Sequence, residues 1–219
     1  SDIIQKAEQY ASIFGWSKGR HVDYEIRPTK DLPIEVVFQE ETEFMELHRK
    51  LRERLLPAMA SAYALDVAKI RPTDIFITKY NASSTIERQL GLHKDKSPWS
   101  FVVALNDAFT GGGTYFQSDA SLWQLPIGAA VFFNGNQLHG AQAITQGVRY
   151  IMAGFCEYGE ELPLESEEAH LLFLATYDPE YDGFAAQSGF MSGDLIVGIE
   201  ICELSSVASH RRHDDMGSS

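Results

Sequence analysis

Cysteine is scarce. The 219 residues hold two, Cys156 and Cys202, so a disulfide framework is excluded. Both lie in apolar, strand-like runs and read as buried free thiols. No pair of thiols has the spacing of a zinc site. Long hydrophobic runs are missing too. Nothing approaches the ~18 consecutive apolar residues of a membrane helix, so no membrane partner is expected. No secretory leader is visible, and cytoplasm is expected over secretion. Positive charge is short: 18 Lys and Arg face 31 Asp and Glu, a formal net charge of −13. That field repels a phosphate backbone, so no nucleic-acid partner is expected. The densest basic cluster, Arg49, Lys50, Arg52 and Arg54, reads as a solvated helix face.

Apolar and aromatic residues are plentiful. Hydrophobic content is 44%, with 13 Phe, 9 Tyr and 3 Trp. A chain of this length can bury one real core and hardly two. We expect a single domain over residues 1–204, with a β core at about 73–158, and a mobile polar tail at 205–219.

The periodicity divides the chain. Residues 2–15 read as a short helix, with Asp2 as its cap. Residues 16–39 read as irregular or strand-like. From 41 to 65, Phe44, Leu47, Leu51, Leu55, Met59 and Tyr63 recur every three or four residues, the period of a helix. Pro57 should kink or split it. Beyond residue 73 short β-like runs take over, at 74–80, 99–105, 114–116, 129–133 and 148–155. Many short strands at near-regular spacing predict a mainly β sandwich or jelly roll, with the helix-rich N-terminal portion packed outside. A helix around 167–175 and a strand at 193–198 complete the pattern.

Four residues carry the chemistry. His93 and Asp95 are two apart, and on one extended strand their side chains would share a face. His139 follows 44 residues after Asp95, and Arg149 ten residues after that. Two imidazoles and a carboxylate form the facial triad that holds non-haem Fe(II) with open positions. Arg149 lies in the apolar run Val148-Arg149-Tyr150-Ile151-Met152-Ala153. A guanidinium buried there requires an anion, and no acid nearby in sequence supplies one.

Around these residues stand further pieces: Tyr80, His93-Lys94-Asp95, Leu105-Asn106, Gly112-Gly113-Thr114-Tyr115-Phe116 (behind Gly111), Gly128 to Phe133, His139-Gly140 and Gly147-Val148-Arg149-Tyr150. In order and chemistry the region from about 74 to 157 resembles the prolyl 4-hydroxylase-like branch of the 2-oxoglutarate and Fe(II)-dependent dioxygenases. The resemblance implies a double-stranded β-helix, and His93, Asp95 and His139 as iron ligands. It implies Arg149 as the partner of the cosubstrate's far carboxylate, where a bidentate fork suits. It also implies Tyr80 on that carboxylate and Thr114 in the same pocket, though Tyr80 precedes His93 by 13 residues, a longer gap than the family's. The implied reaction consumes 2-oxoglutarate and O2, gives succinate and CO2, and hydroxylates a peptide or a small molecule. Ascorbate would be the reductant. A carboxylate at Asp95 favours hydroxylation over halogenation, which needs a free position for chloride.

Two other functions are compatible with part of this pattern. An AlkB-like nucleic-acid demethylase carries a second arginine six residues after the first; here that position is Phe155. A non-catalytic, metal-holding jelly-roll sensor would have no use for all four residues. Trp99 and Trp123 fit a substrate-pocket wall, though such aromatics more often belong to the core, and 81–92 fits either a lid or an ordinary long loop. His21, His48, His170, His210 and His213 lack ligand spacing.

Overall fold

Proline, glycine and alternating apolar residues set the boundaries seen in the computed structural model, which describes residues 2–18, 30–95, 97–159 and 195–198. Helix α1 spans Asp2–Phe14 and buries Ile3 and Ala7, one turn apart on one face. Asp2 is its first helical residue rather than a cap outside it. Strands β1 (Ser17–Lys18) and β2 (Lys30–Pro33) pair antiparallel, and the single turn α2 (Ile34–Val37) follows.

Helix α3 (Glu41–Lys50) runs through a π-helical turn, Leu51–Leu55, into α4 (Leu56–Tyr63). This is how the chain accommodates Pro57. Proline has no N–H to donate, and its ring crowds the carbonyl four residues back, that of Glu53. Widening the turn before it relieves that conflict without ending the helix. Leu47, Leu51, Leu55 and Met59 stay on one buried stripe across the junction.

The remaining strands are β3 (Ile70–Asn81), β4 (Leu90–His93), β5 (Trp99–Ala104), β6 (Phe109–Gly111), β7 (Thr114–Phe116), β8 (Ser121–Trp123), β9 (Ala129–Asn134), β10 (His139–Ala141), β11 (Ile144–Tyr158) and β12 (Leu195–Gly198). Among the described residues the large sheet has the order β1-β2-β3-β11-β5-β9-β12, with β6 also on β11; the small sheet is β4-β10-β7-β8. The chain passes from β3 in the large sheet to β4 in the small one, back to β5, over to β7 and β8, then to β9, β10 and β11. Every pairing is antiparallel. This is a double-stranded β-helix, mainly β with helices outside.

Strand alternation gives the large sheet two apolar faces. Ile75, Ile77, Val103, Phe132 and Met152 point outward to Ile3, Leu47, Leu51 and Leu55 of the helices. Phe76, Tyr80, Val102, Val131, Phe133 and Ile151 point inward, toward the small sheet and Phe116. No described helix is long and apolar enough to cross a membrane.

Of the two placements open to the tryptophans, core packing is the one seen: Trp99 faces the helices, its ring centroid 4.3 Å from that of Tyr63, and Trp123 packs against the inner core. Neither lines the pocket beside the histidines. The segment 81–92 is tied down: the Asn81 and Ala82 amides donate to Glu87 and Gly147 carbonyls, and Ile144 N donates to Arg88 O. The helix expected at 167–175, the tail at 205–219, Cys202, His21, His170, His210 and His213 lie outside the described residues.

Candidate metal centre

His93 closes β4 and His139 opens β10, and the two residues are direct cross-strand partners. Their rings are 4.3 Å apart between centroids. Each ring's Nδ1 is engaged locally, His93 with Gly91 O at 2.8 Å and His139 with Gln137 O at 2.9 Å. A carbonyl can only accept, so Nδ1 carries the proton and the Nε2 lone pair is available to a cation. Both Nε2 atoms turn toward one carboxylate: His93 Nε2 is 3.4 Å from Asp95 Oδ1, and His139 Nε2 is 3.5 Å from Asp95 Oδ2.

Asp95 is not on the strand with His93, as the spacing predicts. β4 has ended, and the Asp95 amide donates to Gly135 O at 2.7 Å, in the β9–β10 turn. That bond pulls the residue out of the β4 ladder, so its carboxylate approaches from the loop side. The result is the same convergence by a different route. One donor atom from each of the three residues lies within 4.8 Å of the others. Two neutral imidazoles and a carboxylate suit a divalent transition metal with open positions, so the donor set fits iron.

Electrostatics favour that state. Burial alone would raise the Asp95 carboxyl, but His93, His139 and the hydrogen bond from Ser100 outweigh it and hold it below the usual range. Burial lowers His139, with Asp95 opposing, which keeps the ring neutral and able to ligate.

Arg149 occupies the other end of the inter-sheet space. It is 4% exposed and stands opposite Tyr80 in the β3–β11 ladder. Its Nη1 donates to Gly113 O at 3.1 Å and its Nη2 to Thr114 Oγ1 at 3.4 Å. Its guanidinium carbon lies 5.5 Å from the Tyr80 ring centroid and 6.0 Å from that of Phe109. Among the described residues no carboxylate pairs with it. Burial lowers its pKa from the ordinary arginine value, with Tyr80 opposing, but the side chain remains charged. Burial pushes the Tyr80 phenol up to about 12, so it is a neutral donor.

One pocket reaches from the three candidate ligands to Tyr80 and Thr114, the neighbours of Arg149. Tyr80, Thr114, His93, Asp95 and His139 line it, with Phe76, Val102, Phe133, Ile151, Ala153 and Phe155 as its apolar wall.

No family model matches the sequence. Two curated proteins are similar to it. The Homo sapiens 2-oxoglutarate and iron-dependent oxygenase domain-containing protein 2 is 34% identical over 114 residues, 46% of this chain and 31% of that protein. Its Mus musculus counterpart is 33% identical over 114 residues, with the same coverage. The chain resembles the 2-oxoglutarate and iron-dependent oxygenases. It covers under a third of the length of either relative. Among solved structures, a Pseudomonas putida prolyl-4-hydroxylase overlays 73% of this chain and 86% of its own, at 15% identity and a TM-score of 0.47. A likeness that loose bears on neither reaction nor substrate.

Within this oxygenase-like domain two residues given no role by sequence support the two ends. Ser100 Oγ donates to Asp95 Oδ2 at 2.5 Å. Asn106 brackets Arg149: its Nδ2 donates to Val148 O and its Oδ1 accepts from Tyr150 N, both at 2.8 Å. Asn106 stood in the Leu105-Asn106 piece of the family pattern, so a signal existed. Ser100 had none, because it meets Asp95 only through the fold. The third histidine described, His48, is a helix residue with a buried, unbonded Nε2 and a pKa lowered by burial; it takes no part.

Proposed function

We propose that this chain is a hydroxylase that uses Fe(II), 2-oxoglutarate and O2, and that releases succinate and CO2 as co-products. One observation carries the reading: three metal-ligand side chains line a pocket whose walls include Tyr80 and Thr114, and these two flank a buried arginine that has no carboxylate partner among the described residues. A five-carbon dicarboxylate with a 2-oxo group offers a chelating end for the cation and an anionic end for Arg149. In this reading His93, Asp95 and His139 hold iron, which supplies oxidative decarboxylation of the 2-oxo acid coupled to hydroxylation. Arg149 binds the far carboxylate. Tyr80, protonated at physiological pH, donates a hydrogen bond to it, and Thr114 steadies the guanidinium. The apolar wall excludes water from the reacting end.

Peptidyl proline is the first substrate class to test, and ascorbate the first reductant. The test is succinate formation from 2-oxoglutarate with Fe(II) and ascorbate, followed by mass spectrometry of candidate peptides for an added oxygen atom. Succinate that depends on His139 and Arg149 supports the proposal. Neither succinate nor 2-oxoglutarate binding from metal-loaded protein sinks it. Nucleic-acid demethylation gains no support here, since Phe155 stands where a second arginine would be.

A further inference from the structure

Ser100 does more than fill space beside Asp95. It lies on β5, 1% exposed, opposite Phe133 and Phe155 in the two flanking ladders. An ionised carboxylate only accepts hydrogen bonds, and a hydroxyl 2.5 Å from one of its oxygens makes a strong, charge-assisted bond. That bond engages Oδ2. The hydroxyl is itself backed: Ser97 Oγ lies 3.2 Å from Ser100 Oγ and donates to Trp99 O at 2.8 Å. Behind it Gly135 admits no side chain, since a Cβ there would stand 2.1 Å from Ser97 O and 3.1 Å from Ser100 Oγ.

Resting on the reading of His93, Asp95 and His139 as metal ligands, we propose that Ser100 is a positioning residue that restricts Asp95 to one-oxygen coordination. Both oxygens stand near a candidate ligand nitrogen, Oδ1 3.4 Å from His93 Nε2 and Oδ2 3.5 Å from His139 Nε2; the Ser100 bond engages Oδ2, so Oδ1 is the oxygen assigned to the cation. The consequence lies in the number of open positions. Three protein donors leave roughly half of an octahedral cation's six positions open. A carboxylate that chelates through both oxygens takes one of these. A bidentate 2-oxo acid would then fill all that remain, with none for O2. The serine hydroxyl thus keeps the last position from being lost to the protein's own ligand.

Mn(II) is the probe, because the relaxation of water protons counts the waters bound to it. The measurement uses the full chain. For Ser100→Ala, inner-sphere relaxivity should fall by about one third relative to the unaltered protein, one of roughly three bound waters being displaced, while Mn(II) affinity stays within a few-fold. Adding 2-oxoglutarate should then remove nearly all the remaining signal in Ser100→Ala but leave about one water in the unaltered protein. Ser100→Thr, which keeps the hydroxyl, should hold the original relaxivity. A Ser100→Ala protein with the original water count, or one that no longer binds Mn(II), overturns the proposal. If the unaltered protein fails to bind Mn(II), the metal-ligand reading fails first, a result separable from the other two.

Discussion

The two ends of the pocket are built in opposite ways. At the candidate metal end the proposed ligands come from the tips of short strands and a loop, each aimed by a contact two residues away or by bonds from distant parts of the chain. His93 and His139 are oriented by carbonyls of Gly91 and Gln137, and Asp95 by Gly135 and Ser100. At the arginine end, β3 and β11 pair over eleven register positions, and Arg149 is placed by that long ladder. It is supported from behind as well. Its neighbour Tyr150 points to the other face and donates to Glu8 of α1 at 2.6 Å, and Lys79 donates to the same oxygen. Local geometry aims the proposed metal ligands, whereas long-range register aims the proposed anion anchor.

Substitutions should separate the ends. The largest effect is expected from His139→Ala, which removes a ligand outright. Metal affinity should fall by more than the ~10–100-fold typical of losing an outer partner, as read by metal analysis after dialysis. Normal metal content would remove His139 from the site. Next is Arg149→Ala. Losing one partner of a buried charged pair costs ~2–5 kcal/mol, about 30-fold or more in affinity. Calorimetry with Mn(II)-loaded protein should show that weakening for 2-oxoglutarate, with metal content unchanged. If both substitutions strip the metal, the two ends are not independent.

Asn106→Ala tests the long-range side more gently. It frees a carbonyl and an amide flanking Arg149 and should lower stability by ~1–3 kcal/mol. The same variant should weaken 2-oxoglutarate binding a few-fold without touching metal content. Thermal melting and calorimetry read the two effects.

The smallest effect is at α1. Burial would raise the Glu8 carboxyl, but bonds from Lys79 and Tyr150 outweigh it and hold the pKa below its ordinary 4.5. A carboxyl depressed by folding contributes stability above its unfolded pKa. That contribution is lost as pH falls through the depressed value. Glu8 is partly exposed, so solvent screening keeps it within about 1 kcal/mol. Melting of Glu8→Gln should respond less than the unaltered protein to acidification below pH 4.5, and the two should converge in acid. Identical curves throughout would mean that the tether adds nothing.

This contrast also explains what was legible in the sequence. His93, Asp95, His139 and Arg149 could be picked out because residue type and spacing record them. The helical stripe from Leu47 to Met59 was legible too, and Pro57 warned of its break, but not that a π turn would carry the helix through. Trp99 was legible only as an alternative between core and pocket wall, because strand alternation does not say which face is the pocket; its side faces Tyr63. Ser100 could not be found, since nothing in its neighbourhood distinguishes it from any buried strand serine until β5 is laid beside the loop carrying Asp95. The route of Asp95 was misread for a related reason. Its amide partner, Gly135, is forty residues away, and a distant hydrogen bond leaves no local pattern.

A guanidinium has five N–H donors, and in Arg149 two of them find acceptors among the described residues. The residue is 4% exposed, so the rest are shielded from bulk water. A buried cation of that kind attracts anions. With Arg149 as the anchor proposed above, protein drawn from a cell is expected to arrive with some abundant small dicarboxylate already seated there, succinate among them. Binding constants measured without first exchanging that passenger would describe a competition rather than an encounter.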